Sequence, residues 1–330
     1  MGSDVRRHRV TESEVSIALG AVLLAFFLDG FVRDSAPAMA VALVAVGVLI
    51  AIGLYRINDP SPIAAIRVRD IALVLAGTLM VGACVRVLGM PSELAAALVG
   101  LLAGALPFLT TRISAGTAGA LYVGAFAGMT SPVVLLGPQW LIVSGLLTGI
   151  WWSIARDAWA GIGGRMGTVA FAGVAMTSLL AWAFGMHAEP LHRPAYAWHE
   201  MLAIIVACIA SAVLTHALAY RWKLGPVLGS AAPVAAVVVL TWPLRSTLGV
   251  HVVPVEALSA AWLGASFVGM TAPARLNGRR WMLPLMALAF AYLLLAFQAR
   301  LAGLGGDLGA TAATAVIAVI GAASLLAPRR

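Results

Sequence analysis

The chain has 330 residues, of which 62% are hydrophobic and only 10% charged, against roughly 45–50% and about 25% in soluble globular proteins. With 21 Lys+Arg, 13 Asp+Glu, a formal net charge of +8 and a mean hydropathy of +0.99, it has too few charges to build a water-soluble surface. A disordered chain, a disulfide-stapled secreted domain, a coiled coil and a nucleic-acid binder are all excluded, and the lipid bilayer is the expected solvent.

The N-terminal tail carries Arg6, Arg7 and Arg9 ahead of an apolar run. That run is longer than a signal-peptide core and lacks a small-x-small cleavage site, so it reads as a retained helix. A helix needs about 20 mainly apolar residues to cross a hydrocarbon core roughly 30 Å thick. Twelve spans meet this in chain order, near 15–33, 36–55, 70–90, 93–110, 115–133, 138–155, 165–185, 199–220, 226–243, 255–272, 280–298 and 309–327. The leftovers are the tail, Arg56–Arg69 and Met186–Trp198, too short for a soluble domain.

Basic residues orient the spans. With the N-terminus inside, sixteen Lys and Arg fall on cytoplasmic segments and four, Arg33, Arg193, Arg245 and Arg300, on external ones. Arg86 lies within a span. This is a strong positive-inside bias, and it predicts a multi-pass protein of the inner (plasma) membrane with both termini cytoplasmic.

Two motifs occur twice. Phe126-Ala-Gly-Met-Thr-Ser-Pro132 returns as Phe267-Val-Gly-Met-Thr-Ala-Pro273, an offset of 141. Ala160-Gly-Ile-Gly-Gly-Arg-Met-Gly167 returns as Ala302-Gly-Leu-Gly-Gly-Asp-Leu-Gly309, an offset of 142. Five spans separate each motif from its copy, and an odd number turns the copy over in the membrane. The predicted fold is therefore an all-α polytopic membrane protein of about 12 transmembrane helices. It contains two inverted five-helix repeats, 70–185 and 199–330, joined by an external loop at 186–198. Residues 1–69 add a cytoplasmic tail, a helical hairpin and a basic cytoplasmic loop. Inverted repeats are common in transporters.

Candidate pathway residues come from the helix breaks. Proline removes a backbone donor and a nearby glycine allows close approach, so Gly128, Met129, Thr130, Ser131 and Pro132, with Gly269, Met270, Thr271 and Pro273, mark interruptions at matching places. The competing reading is that Thr-x-Pro simply ends each helix. Arg86 and His216 are ionisable residues within spans. Arg86 could hold an anion, pair with Asp29 or reach the headgroups; His216 could relay protons or pack as a hydrogen-bonded side chain.

Other features carry less. The glycine loops lack the Lys-Ser/Thr of a phosphate-binding loop and read as tight turns. Cys84 and Cys208 sit in apolar runs and read as packing residues. His187, Glu189, His192, His199 and Glu200 have metal-ligating chemistry at a spacing that fits no standard site. No metal or cofactor is expected, and no nucleophile–base pair suggests an enzyme. The sequence thus predicts a channel, facilitator or secondary transporter for a small neutral or anionic solute, with a homo-oligomer left open. The alternative is a non-transporting membrane subunit or scaffold that anchors a partner protein.

Overall fold

The computed structural model describes residues 16–21, 46–54, 57, 64–110, 114–135, 137–186, 196–247, 255–301 and 303–326. The first two expected spans fall mostly outside these residues; only 16–21 and 46–54 are seen there, both helical. From residue 68 onward every described element is a helix, and no strand occurs among the described residues.

The first set comprises α1 (Val68–Arg86), α2 (Ser92–Leu109), α3 (Ala115–Gly128), α4 (Pro138–Ile154) and α5 (Arg165–Ala183). The second comprises α6 (Trp198–His216, prolonged by a π-helical turn Ala217–Arg221), α7 (Gly225–Thr247), α8 (Val255–Gly269), the short α9 (Pro273–Leu276), α10 (Met282–Leu301) and α11 (Asp307–Leu325). Each of the last ten expected spans thus meets one helix. Among the described residues, six stretches are long and apolar enough to cross a membrane: α1, α2, α5, α6 with its π turn, Gly225–Trp242 of α7, and α11. α8 and the Met282–Ala296 part of α10 are apolar but shorter.

Two helices stop early. α3 has 14 residues and α8 has 15, about 21 and 22 Å at 1.5 Å per residue, whereas the apolar pattern ran on to 133 and 272. Pro132 and Pro273 explain the difference, because neither can donate the next helical hydrogen bond. Both helices end at the glycine of the Gly-Met-Thr motif.

The pairings in the two sets correspond. In the first set α1 packs on α3 and α4, α4 on α5, α2 on α3, and α3 on α5. In the second, α6 packs on α8 and α10, α10 on α11, α7 on α8, and α8 on α11. The sets are joined mainly by α2 with α7 and α5 with α11, and more lightly by α3 with α7 and α2 with α8.

Lipid supplies no hydrophobic force between helices, so close approach of small residues does that work. A Cβ on Gly124 of α3 would collide with the α1 backbone at Val74 O and Thr78 N. The α5–α11 crossing is tighter still. A Cβ on Gly167 would lie 2.5 Å from the Gly309 Cα, and one on Gly309 would lie 2.4 Å from the Gly167 Cα. Gly164 faces the backbone of Gly309 and Ala313, while Gly306 faces that of Gly167 and Phe171. These contacts are reciprocal under the same offset of 142. Gly164 and Gly306 also hold φ of 83° and 86°, left-handed values that let the chain turn straight into α5 and α11.

Candidate functional site

The repeated motifs meet crosswise. The end of α3 lies against the second glycine loop, where the Ser131 N–H donates to Gly303 O at 2.8 Å. The end of α8 lies against the first, where the Ala272 N–H donates to Gly161 O at 2.9 Å. A helix C-terminus leaves carbonyls without intrahelical partners, and in a membrane interior these must be satisfied by protein. Thr130 and Thr271 do this locally, each donating Oγ1–H to a carbonyl three residues back, Ala127 and Val268, at 2.7 Å. Thr130 Oγ1 also accepts the Gly305 N–H at 3.2 Å. Both threonines are fully buried.

Side chains of α6 serve the same end of α8. His216 Nδ1–H donates to Gly269 O at 3.3 Å, and the Tyr220 hydroxyl donates to Met270 O at 2.6 Å. Gly128 and Gly269 permit close helix contact: a Cβ on either would sit 2.5 Å from Thr78 O or Ala212 O respectively. Met129 is half-buried against the core, and Pro132 and Pro273 are exposed, the latter opening α9.

Arg86 sits at the last turn of α1 and donates to Leu135 O at 3.0 Å and Gly137 O at 3.4 Å. It ties α1 to the chain that follows the first break; Asp29 lies outside the described residues. Hydrogen bonds from a charged group contribute about 1.5–3 kcal/mol. Arg86→Gln is therefore expected to destabilise the protein by about that amount, read as a lowered midpoint of thermal unfolding in detergent, with Arg86→Lys recovering only part because an ammonium lacks the fork geometry.

A cavity of about 210 Å³ opens between the two sets. Its lining includes Gly116 and Gly119 of α3, Trp152 of α4, Arg165 of α5, Tyr220 of the π turn and Met270. Phe126 and Phe267, the leading residues of the two motif copies, line it too and touch each other with ring centroids 4.7 Å apart. Tyr122 stacks on Phe126 at 4.3 Å. Its hydroxyl meets Ser230 Oγ at 3.1 Å, and Ser230 meets Ser266 at 2.7 Å, so a buried polar chain links the sets beside the aromatic pair. The Arg165 guanidinium lies over the Trp152 ring, 5.2 Å from its centroid, and donates to Arg156 O. Toward the other end of α7 is a slot of only about 30 Å³, bordered by Glu93, Thr241, Trp242, Glu256 and Ser259.

Of the expected pathway residues, only Met270 borders the large cavity. Thr130, Ser131, Thr271, His216 and Arg86 instead make hydrogen bonds at helix ends, and Gly128 and Gly269 sit at close helix contacts. Arg165, Tyr220, Trp152, Phe126 and Phe267 escaped the sequence reading as site residues. Two signals were present: Phe126 and Phe267 open the repeated heptapeptide, and Arg165 stands where the second glycine loop has Asp307. Cys84 and Cys208 are free thiols. Glu200 accepts the Ala197 N–H at 2.7 Å at the start of α6, while His187, Glu189 and His192 lie outside the described residues. Comparison with protein families, curated proteins and solved structures gives no match for this chain.

Proposed function

We propose that the chain is an inner-membrane transport protein, a channel, facilitator or secondary transporter that passes a small neutral or anionic solute between two inverted five-helix halves. The observation that carries this reading is the cavity of about 210 Å³ at the junction of the two sets, with a guanidinium and a phenol on otherwise apolar walls. Binding sites have this composition, mostly apolar with a few placed polar groups. Its position is where an inverted-repeat carrier holds its solute.

The inverted repeat is supported by the matching helix pairings, by the reciprocal Gly167–Gly309 crossing and by the crosswise capping of α3 and α8. Mutual contacts of this kind are what a twofold axis produces. Five helices separate each element from its counterpart, so the axis lies in the membrane plane. With the N-terminal hairpin the count reaches twelve spans with cytoplasmic termini. In the orientation read from the basic residues, the large cavity opens toward the cytoplasmic side and the small slot toward the outside. In this arrangement the Phe126–Phe267 pair closes the path between them.

The reading is tested by stopped-flow light scattering on proteoliposomes, with a panel of small neutral solutes and organic anions on one side. At least one class is expected to move faster than in protein-free vesicles, and Met270→Trp, which fills the cavity, is expected to remove the difference. Equal rates with and without protein for every solute would refute transport.

A further inference from the structure

The two glycine loops have one backbone and opposite charges. Gly161 and Gly164 hold φ of 78° and 83°, and Gly303 and Gly306 both hold 86°, so each loop enters its helix in the same way. The next residue is Arg165 in one case and Asp307 in the other. A helix N-terminus carries partial positive charge and favours an acid there. Asp307 obeys the rule and accepts the Leu308 N–H at 2.7 Å. Arg165 opposes it, so local helix stability does not explain the arginine.

Its surroundings do. Arg165 forms part of the wall of the large cavity, and the Arg156 carbonyl and the Trp152 ring hold its guanidinium in place. The rest of the lining is largely apolar: Phe126 and Phe267 border the cavity as well, and Gly119 leaves α3 bare where a Cβ would sit 3.4 Å from the Trp152 ring. A dry apolar cavity of roughly 150 Å³ accommodates benzene. A volume of about 210 Å³ therefore holds a six-membered ring and a carboxylate.

We infer that this cavity binds a small monocarboxylate with a planar apolar body, the carboxylate on Arg165 and the body against the apolar lining to which Phe126 and Phe267 contribute. Arginine suits the task because its planar fork matches two carboxylate oxygens, and such charge-assisted bonds are stronger than neutral ones. The inference deepens the transport reading and rests on it only for the ligand's passage, since binding is measured without flux.

The test is isothermal titration calorimetry on the full-length protein in a nonionic detergent, with benzoate, its neutral isostere benzamide, and inorganic phosphate. Benzoate is expected to bind at least roughly 10-fold more tightly than benzamide or phosphate. Arg165→Gln should weaken benzoate by roughly 10- to 100-fold and leave benzamide unchanged. Gly116→Phe, whose added side chain enters open space at the cavity wall, should weaken both. If Arg165→Gln does not fold, the ligand comparison and Gly116→Phe decide the matter.

No benzoate binding to the native protein, benzamide binding as tightly, phosphate competing equally, or Arg165→Gln binding benzoate unchanged would each overturn the inference. Proteoliposome flux separates the two readings. Benzoate binding with no flux of any solute leaves the site standing and removes transport. Flux of other solutes without benzoate binding does the reverse.

Discussion

Alanine at Gly309 is expected to leave almost no well-folded protein. The added Cβ would lie 2.4 Å from the Gly167 Cα and 3.0 Å from the Gly167 N, and both neighbours are backbone, so no rotamer change relieves the clash. α5 and α11 would have to separate. Fourteen of the nineteen residues of α11 are buried, and separation loosens packing along its length. Overpacking ordinarily costs about 1–3 kcal/mol; a shift of whole helices places this substitution at or above the upper end. Gly167→Ala should behave alike, with its Cβ 2.5 Å from the Gly309 Cα. Gly116→Ala is the control, because its Cβ meets nothing nearer than Ser114 Oγ at 3.6 Å. Size-exclusion profiles and thermal unfolding in detergent report the outcome: aggregation or a large loss of midpoint for the two crossing glycines, and native behaviour for Gly116→Ala.

Thr130→Val is expected to cost about 1.5–4.5 kcal/mol although it hardly alters shape. Valine removes the donor to Ala127 O and the acceptor of the Gly305 N–H, both in a fully buried place. The Gly305 N–H left unsatisfied costs about 1–3 kcal/mol, and the lost bond to Ala127 O, which still accepts the Thr130 N–H, about 0.5–1.5 kcal/mol more. Thr130→Ser keeps both bonds and should stay near native stability. Thr271→Val removes the bond to Val268 O and should fall between them. The same unfolding measurement ranks the three variants; Thr130→Val as stable as Thr130→Ser would mean that the crosswise cap contributes nothing.

Much of this architecture was legible in the residues. The apolar runs located each helix from α1 to α11 apart from the short α9, since burial in lipid demands continuous apolar sequence and leaves little choice of fold class. The repeated motifs marked the α3 and α8 breaks, but offset in sequence reveals equivalence and not contact. Nothing in the letters says that Ser131 meets Gly303 instead of its own loop, Gly161. The threonines illustrate the same limit. Thr130 and Thr271 looked like hydroxyls available to a solute, whereas a buried threonine at a helix end turns to the nearest carbonyl. In the sequence Arg165 is one loop arginine among many and informs only the topology. Its exceptional feature, an arginine where the matching loop has Asp307, becomes informative only once both stand at the starts of crossing helices and one faces a cavity.

The proposed transport function requires a water-filled route between the two halves, open from one side. It is tested most directly by sided thiol labelling in a Cys84→Ala, Cys208→Ala background. Single cysteines replace Met166 and Val227, which border the large cavity, and Thr241 and Ser259, which border the small slot. A membrane-impermeant, charged thiol reagent is applied to right-side-out and inverted vesicles. Labelling of Met166→Cys and Val227→Cys from the cytoplasmic face alone, with Thr241→Cys and Ser259→Cys reached only from the opposite face, is the predicted result. Unreactive cysteines at 166 and 227 from both faces, or labelling of all four from the same face, would contradict the account.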